Sequence, residues 1–218
     1  MSLNVFLKEA IVLAIEQTKV GIDNFSYIVY CPVGKKAAIV DPGFDASKTL
    51  KFISSKNLKL EYIIVTHYHS DHSSETKRIK NLIPSSMIVA SEQDGKKLGV
   101  KTDIIVSDES RLKLGEVDIG FLLTPGHTPG SICIVVDNEA LLTGDTLFIG
   151  DCGRTDLFGG NLVQMYESLH EKIMSLPDHL IVYPGHDYGD KPFDKLGNQK
   201  MTNKTLLAKN LDGFSKIP

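Results

Sequence analysis

The chain has 218 residues, of which 42% are hydrophobic and 23% charged, with no tryptophan and a formal net charge of −3. That length suits one well-packed domain over 1–218 and is short for two. The slight acidity, with no basic block longer than Lys35-Lys36 or Lys96-Lys97, argues against a nucleic-acid partner.

The predicted elements come in batches of strands with helices between them. Asn4 to Leu7, Ala10 to Ile15, Phe25 to Cys31 and Ala37 to Val40 read as short strands rich in Val, Ile and aromatics, punctuated by Gly, Pro and charge. Ser47 to Lys56 reads as an amphipathic helix with Leu50 and Ile53 on one face. Leu60 to Val65 reads as a buried strand, followed by a helix over Ser73 to Asn81, a strand over Met87 to Ala90 and a short helix over Glu92 to Leu98. The second half repeats the grammar with strands over Ile104 to Val106, Val117 to Leu123, Ser131 to Val136 and Ala140 to Thr143. A helix over Leu162 to Ser175, a strand over Leu180 to Tyr183 and a last helix over Thr202 to Phe214, with Leu206, Leu207 and Leu211 inward, complete it. Two similar halves, each a sheet covered by helices, predict an α/β (α+β) four-layer αββα sandwich with its strand-to-helix loops on one rim.

Three cysteines, Cys31, Cys133 and Cys152, are too few and too odd for a disulfide framework. The apolar run Ile11 to Ile15 is too short to span a membrane and lacks the flanks of a signal peptide. A cytoplasmic protein with no membrane partner, monomer or homodimer, is the expectation.

Five of the seven histidines lie in short Gly/Asp/Pro-punctuated motifs. The first is His67-Tyr68-His69-Ser70-Asp71-His72, directly after the apolar stretch Tyr62-Ile63-Ile64-Val65. Three imidazoles and a carboxylate in so short a run repel when protonated and compete for hydrogen bonds when neutral. A divalent cation removes both problems, because imidazole nitrogen and carboxylate oxygen are its natural ligands. If Val65 to His69 stays extended, His67 and His69 point to one side and Tyr68 to the other. Asp71 and His72 follow where the chain turns, free to reach a neighbouring ion. Three more turns carry ligand types: His127 in Thr124-Pro125-Gly126-His127-Thr128-Pro129-Gly130, Asp145 in Gly144-Asp145-Thr146-Leu147-Phe148, and His186 in Tyr183-Pro184-Gly185-His186-Asp187-Tyr188. Gly144 permits close approach of the backbone. His170 and His179 lack such turns and read as structural or exposed.

The ordered set H-x-H-x-D-H, P-G-H-T-P-G, G-D-T-L-F and P-G-H-D resembles the metallo-β-lactamase superfamily over about Asp41 to His186. The resemblance implies the αββα fold and two adjacent sites for divalent metal ions, zinc first, with iron or manganese as alternatives. Carried over by motif, His67, His69 and His127 form one site, Asp71, His72 and His186 the other, and Asp145 bridges them. A metal-bound hydroxide would then be the nucleophile, with Asp71 orienting it and Asp145 completing the catalytic centre. Asp41, before Pro42-Gly43, is either an acceptor behind a ligand histidine or a turn-former.

Within the superfamily the chain is most similar to the glyoxalase II and persulfide dioxygenase branch. That similarity implies a small-molecule thiol conjugate as substrate, either a glutathione-like thioester to be hydrolysed or a persulfide to be oxidised. Cys152-Gly153-Arg154-Thr155-Asp156 and Gly185-His186-Asp187-Tyr188 are similar to dioxygenases, which hold a single iron; the matching ligands are His67, His127 and Asp145. Leu157-Phe158 departs from that pattern, and the first half follows the hydrolase one. Thioester hydrolysis is therefore the first expectation, with dioxygenation the alternative. Arg154 would anchor an acidic substrate or pair with Asp156 or Asp151, and Tyr188 would line the pocket. β-Lactam and nucleic-acid hydrolysis are not expected.

Overall fold

The computed structural model describes residues 13–217, which build two six-stranded sheets. The first takes its strands in chain order: β1 (Ala14–Val20), β2 (Asn24–Cys31), β3 (Lys36–Val40), β4 (Lys59–Ile64), β5 (Met87–Ser91) and β6 (Ile104–Val106). The second has the spatial order β12, β11, β10, β9, β8, β7. Its strands are β7 (Arg111–Leu114), β8 (Val117–Leu123), β9 (Ile132–Val136), β10 (Ala140–Gly144), β11 (Ile181–Pro184) and β12 (Asp194–Lys195). Helices α1 (Ser47–Ser55), α2 (Ser70–Ser73), α3 (Thr76–Leu82) and α4 (Glu92–Gly95) belong to the first half. Helices α5 (Leu162–Glu167), α6 (Leu196–Thr202) and α7 (Leu211–Phe214) belong to the second, α5 running on through a π turn and a 3-10 turn to Ser175.

The alternation of side chains along each strand sorts the apolar residues into three layers. On β2, Phe25, Tyr27, Val29 and Cys31 face the space between the sheets, where they meet Ile119, Phe121, Ile132 and Ile134 of the second sheet. Ile28 and Ile39 face the other way and pack with Ile53 of α1 and Ile79 of α3. In the second sheet Leu141 and Val182 turn outward to Met165 and Leu169. Burying each such side chain is worth roughly 1.5–3 kcal/mol against leaving it in water. A register shift in the β3–β4 pairing, from Ala37↔Leu60 to Ala38↔Tyr62, lets Leu60 and Ile63 share the outer face while Tyr62 and Ile64 face inward. The result is the layered sandwich expected from the sequence.

The differences are local. Asn4 to Leu7 lies outside the described residues, as does the first half of Ala10 to Ile15; the strand there is β1, reaching on to Val20. The Ser73 to Asn81 segment forms two short helices, with Asp71 and His72 already inside α2. Three elements are not marked by the sequence pattern: β7, the four residues Arg-Leu-Lys-Leu, β12, two residues long, and α6. The helix expected over Thr202 to Phe214 is broken by Asn203. Its buried amide donates to the carbonyls of Phe148 and Asp151 while its Oδ1 accepts from Thr205, so the chain leaves the helical path there. Leu206 is buried, but Leu207 is 52% exposed rather than inward. Among the described residues no helix is long and apolar enough to cross a membrane.

Candidate metal centre

Five loops meet at one rim of the sandwich, each following the C-terminal end of a strand. They carry Asp41 after β3, His67 to His72 after β4, His127 after β8, Asp145 after β10 and His186 after β11. Backbone hydrogen bonds fasten the rim across the two sheets, from Ile132 N–H to the Thr66 carbonyl at 2.9 Å and from Phe25 N–H to the Gly185 carbonyl at 2.8 Å. Gly144, at φ +48°, passes so close to Thr66 that a Cβ would lie 2.5 Å from its hydroxyl.

The ligand-type atoms gather in two groups. Those of His67, His69 and His127 lie within 4.8 Å of one another, as do those of Asp71, His72 and His186. Although β4 ends at Ile64, His67 and His69 still share a side, their rings 4.8 Å apart. Asp145 lies between the groups: Oδ2 is 3.5 Å from His127 Nε2 and 3.3 Å from His186 Nε2, and Oδ1 is 3.3 Å from His72 Nε2. Asp41 also comes close to His67 and His72, but its oxygens are engaged. Oδ1 accepts from Thr66 N–H at 2.7 Å, and Oδ2 accepts from the Thr66 hydroxyl at 2.6 Å and lies 3.0 Å from His72 Nδ1.

Hydrogen bonds behind the rings decide which nitrogen is bare. The Arg154 carbonyl only accepts, so His127 Nδ1 at 2.7 Å donates to it and Nε2 faces the site. The carboxylates of Asp41 and Asp23 accept from Nδ1 of His72 and His186 at 3.0 and 3.3 Å, which turns both Nε2 atoms inward, towards each other and towards Asp71 and Asp145. The Thr66 hydroxyl has given its proton to Asp41, so it accepts from His67 Nδ1; His67 Nε2 is then bare, buried and without a hydrogen-bond partner among the described residues. Ring nitrogens consequently converge, His127 Nε2 at 2.9 Å from His69 Nδ1 and His72 Nε2 at 3.2 Å from His186 Nε2. Imidazole nitrogens and carboxylates gathered so closely are the natural ligands of a divalent cation, which replaces the protons they otherwise hold or share. The donor set therefore fits divalent metal ions.

Charge is unevenly shared. Burial, then the neighbouring His72 and His127, pushes His67 well below the usual imidazole range, and burial likewise lowers His69. Burial would lower His72 and His186 too. For His72 the carboxylates of Asp145 and Asp41 outweigh it and hold the pKa at about 9; for His186 those of Asp145 and Asp71 hold it at about 10. Asp71 and Asp145 stay below the carboxylate range despite burial, because His186 and His72 favour their charged forms.

A cleft of about 460 Å³ opens over both groups. Tyr188 lines it, its ring stacked on His186 at 4.6 Å and edge-on to Phe148. Arg154 lines it as well, but its guanidinium forks onto Asp156 at 2.6 and 2.7 Å; Asp151 pairs with Lys204 instead. Cys152 borders the cleft as a neutral thiol, since burial pushes its pKa up to about 12 and that of Cys133 to about 11. His170 and His179 are elsewhere, bonded to the carbonyls of Thr205 and Asn138.

Several residues of the site carry no motif. Asn24 donates to Asp71 Oδ2 at 2.9 Å, and Asp23, Thr66 and the Arg154 carbonyl set tautomers as described. Asp94, fully buried, accepts from Tyr68 N–H at 3.1 Å and from the Thr128 hydroxyl at 2.6 Å. It thus ties the loop of His67 and His69 to the loop of His127. Only its place at the start of α4, after the capping residue Ser91, marks it in the sequence.

Two mixed sheets enclosed by helices, with paired histidine and aspartate groups on one rim, define a metal-binding α/β sandwich. A family model for the metallo-beta-lactamase superfamily matches residues 21–186. The chain belongs to that superfamily. It is 32% identical over 196 residues to the human mitochondrial persulfide dioxygenase ETHE1, covering 89% of this chain and 75% of the relative. It is 35% identical over 198 residues to a probable hydroxyacylglutathione hydrolase of Schizosaccharomyces pombe, covering 87% and 72%. The crystal structure of ETHE1 from Myxococcus xanthus matches with a TM-score of 0.85 at 25% identity, covering 94% of this chain and 92% of that one.

Proposed function

We propose that the protein is a metal-dependent hydrolase of the glyoxalase II type, cleaving a thioester of a low-molecular-weight thiol. The observation that carries this reading is the completeness of both ligand groups: each has three ligand-type residues, and Asp145 reaches both. In it His67, His69 and His127 would hold one ion and Asp71, His72 and His186 the other, with Asp145 placed to reach both. Bound divalent cations acidify water and polarise a carbonyl, which supplies a nucleophile and an oxyanion site without a serine or cysteine. Zinc is the first candidate for both.

The chain's own groups do the rest. Asp71, ionised and fixed by the Asn24 amide, can orient an attacking water and accept its hydrogen bond. Asp41, Asp23 and the Arg154 carbonyl keep the ligand rings turned inward. The phenol of Tyr188, raised to about 12, stays protonated beside the cleft as a donor. The hydroxyacylglutathione hydrolase relative supports a glutathione-like thioester as the substrate.

The second reading, a persulfide dioxygenase with one iron on His67, His127 and Asp145, draws on the similar identity to human ETHE1. One experiment separates them. Metal content of freshly purified protein is measured by mass spectrometry, and lactoyl-glutathione hydrolysis is compared with oxygen uptake on glutathione persulfide. Two metals with thioester turnover and no oxygen uptake is the expected result; one iron with oxygen uptake overturns it.

A further inference from the structure

Beside the cleft, a second cavity of about 650 Å³ opens next to the Asp71, His72 and His186 group. The two share Ser70, Asp71, His186 and Tyr188, so they form one trough crossing the centre. Three large apolar side chains stand exposed around this cavity: Ile22 at 89%, Phe44 at 54% and Tyr188 at 57%. Single exposed apolar residues are ordinary, but a cluster at the mouth of a site marks a ligand surface. The side chains lining the cavity that can carry charge are Asp23, Asp71 and His186, and His186 faces both carboxylates.

The backbone holds this wall in place at some cost. Phe44 has φ +40°, a conformation that a bulky side chain rarely adopts. Its N–H donates to Ser74 Oγ at 3.0 Å. Its ring lies against Gly21, where a Cβ would stand 2.5 Å from Phe44 Cδ2. The turn that makes this room also presents Ile22 to the cavity and Asp23 to His186. Strain kept at such a place points to a function for the side chain it positions.

We propose that this cavity receives an apolar, uncharged arm of the thiol conjugate, the group carried on sulfur, while the thiol carrier lies in the cleft beside Arg154. The assignment rests on the reading of the centre as a site for thiol conjugates. Burial against Ile22, Phe44 and Tyr188 favours a hydrocarbon arm, and the basic side chain lining the cavity, His186, already faces Asp23 and Asp71 rather than standing open to a ligand carboxylate.

The test uses the purified, metal-loaded protein and two non-hydrolysable probes, S-methylglutathione and S-hexylglutathione, with binding measured by calorimetry. Each buried methylene contributes about fourfold in affinity, so the hexyl conjugate is expected to bind at least about thirtyfold more tightly. That gain should fall below about fivefold in Phe44→Ser and shrink in Ile22→Ser, an exposed turn position that tolerates a polar residue. Equal affinities, no binding of either probe, or a gain undiminished in both variants overturns the assignment. Turnover of acetyl- and hexanoyl-glutathione on the same samples separates it from the hydrolase reading. Hydrolysis with no chain-length gain defeats the cavity assignment alone; a hexyl gain in binding with no thioester turnover defeats the hydrolase reading alone.

Discussion

The two ligand groups are built to opposite electrostatic rules. His67, His69 and His127 form a group of imidazoles, and His67 and His69 are driven towards neutrality by burial. Asp71, His72 and His186 stand in front of further carboxylates, Asp41 behind His72 and Asp23 behind His186. His67 and His69 thus offer lone pairs that burial keeps free of protons, whereas the second group offers negative charge that attracts protons and metal ions alike. Adjacent sites can thus differ in how they depend on pH while sharing Asp145.

The harshest way to break the comparison is to remove what the groups share. Asp145→Ala is expected to deplete metal from both and to lower activity by more than about a thousandfold, the scale of several kcal/mol of lost charge stabilisation. Mass spectrometry of the purified variant checks it, and retention of two metals would sink the bridging role.

Titration sharpens the contrast next. His72 and His186 are raised from 6.5 to about 9 and about 10, so in metal-free protein their protonated forms stabilise the fold. That contribution is complete below pH 6.5 and is lost as pH rises through 9 to 10. Denaturant unfolding of chelator-treated protein at pH 6.5 and pH 10 measures it. His67 works in the opposite sense, because its depressed pKa makes acid below pH 6.5 unfavourable to the fold. A metal-free protein equally stable at both pH values would contradict the asymmetry.

Two positioning residues should divide the groups between them. Asp23→Asn weakens the acceptor behind His186, and metal affinity of the second group is expected to fall roughly 10- to 100-fold while the first is little changed. Asp94→Asn loosens the tie between the loops of His67, His69 and His127, with about a tenfold loss confined to the first group. Competition with a coloured chelator resolves the two affinities, and a uniform loss across both groups in either variant would refute the division.

Most of the layered fold and the residues of both ligand groups were legible because each rests on a local pattern. Alternating Val and Ile mark the strands, and five histidines sit in turn motifs that only a few chemistries tolerate. What the sequence concealed depends on distance. Asp23 reaches His186 across 163 positions, and the Arg154 carbonyl reaches His127 as backbone, which no residue type can announce. Asp94 is a lone buried acid, equally readable as part of a helix start. Asn203 reads as an ordinary helix residue, yet its side-chain hydrogen bonds with the backbone of Phe148, Asp151 and Thr205 make it a break.

The rim of five loops also sets an order of assembly. The run from His67 to His72 brings residues of both groups in a single short peptide, but His127, Asp145 and His186 arrive only when strands far along the chain have joined the second sheet. Closing such long loops is among the slower steps of folding. A nascent chain can offer an ion only a loose, incomplete grip, so the choice among competing metals falls to the finished protein and to whatever ions surround it then.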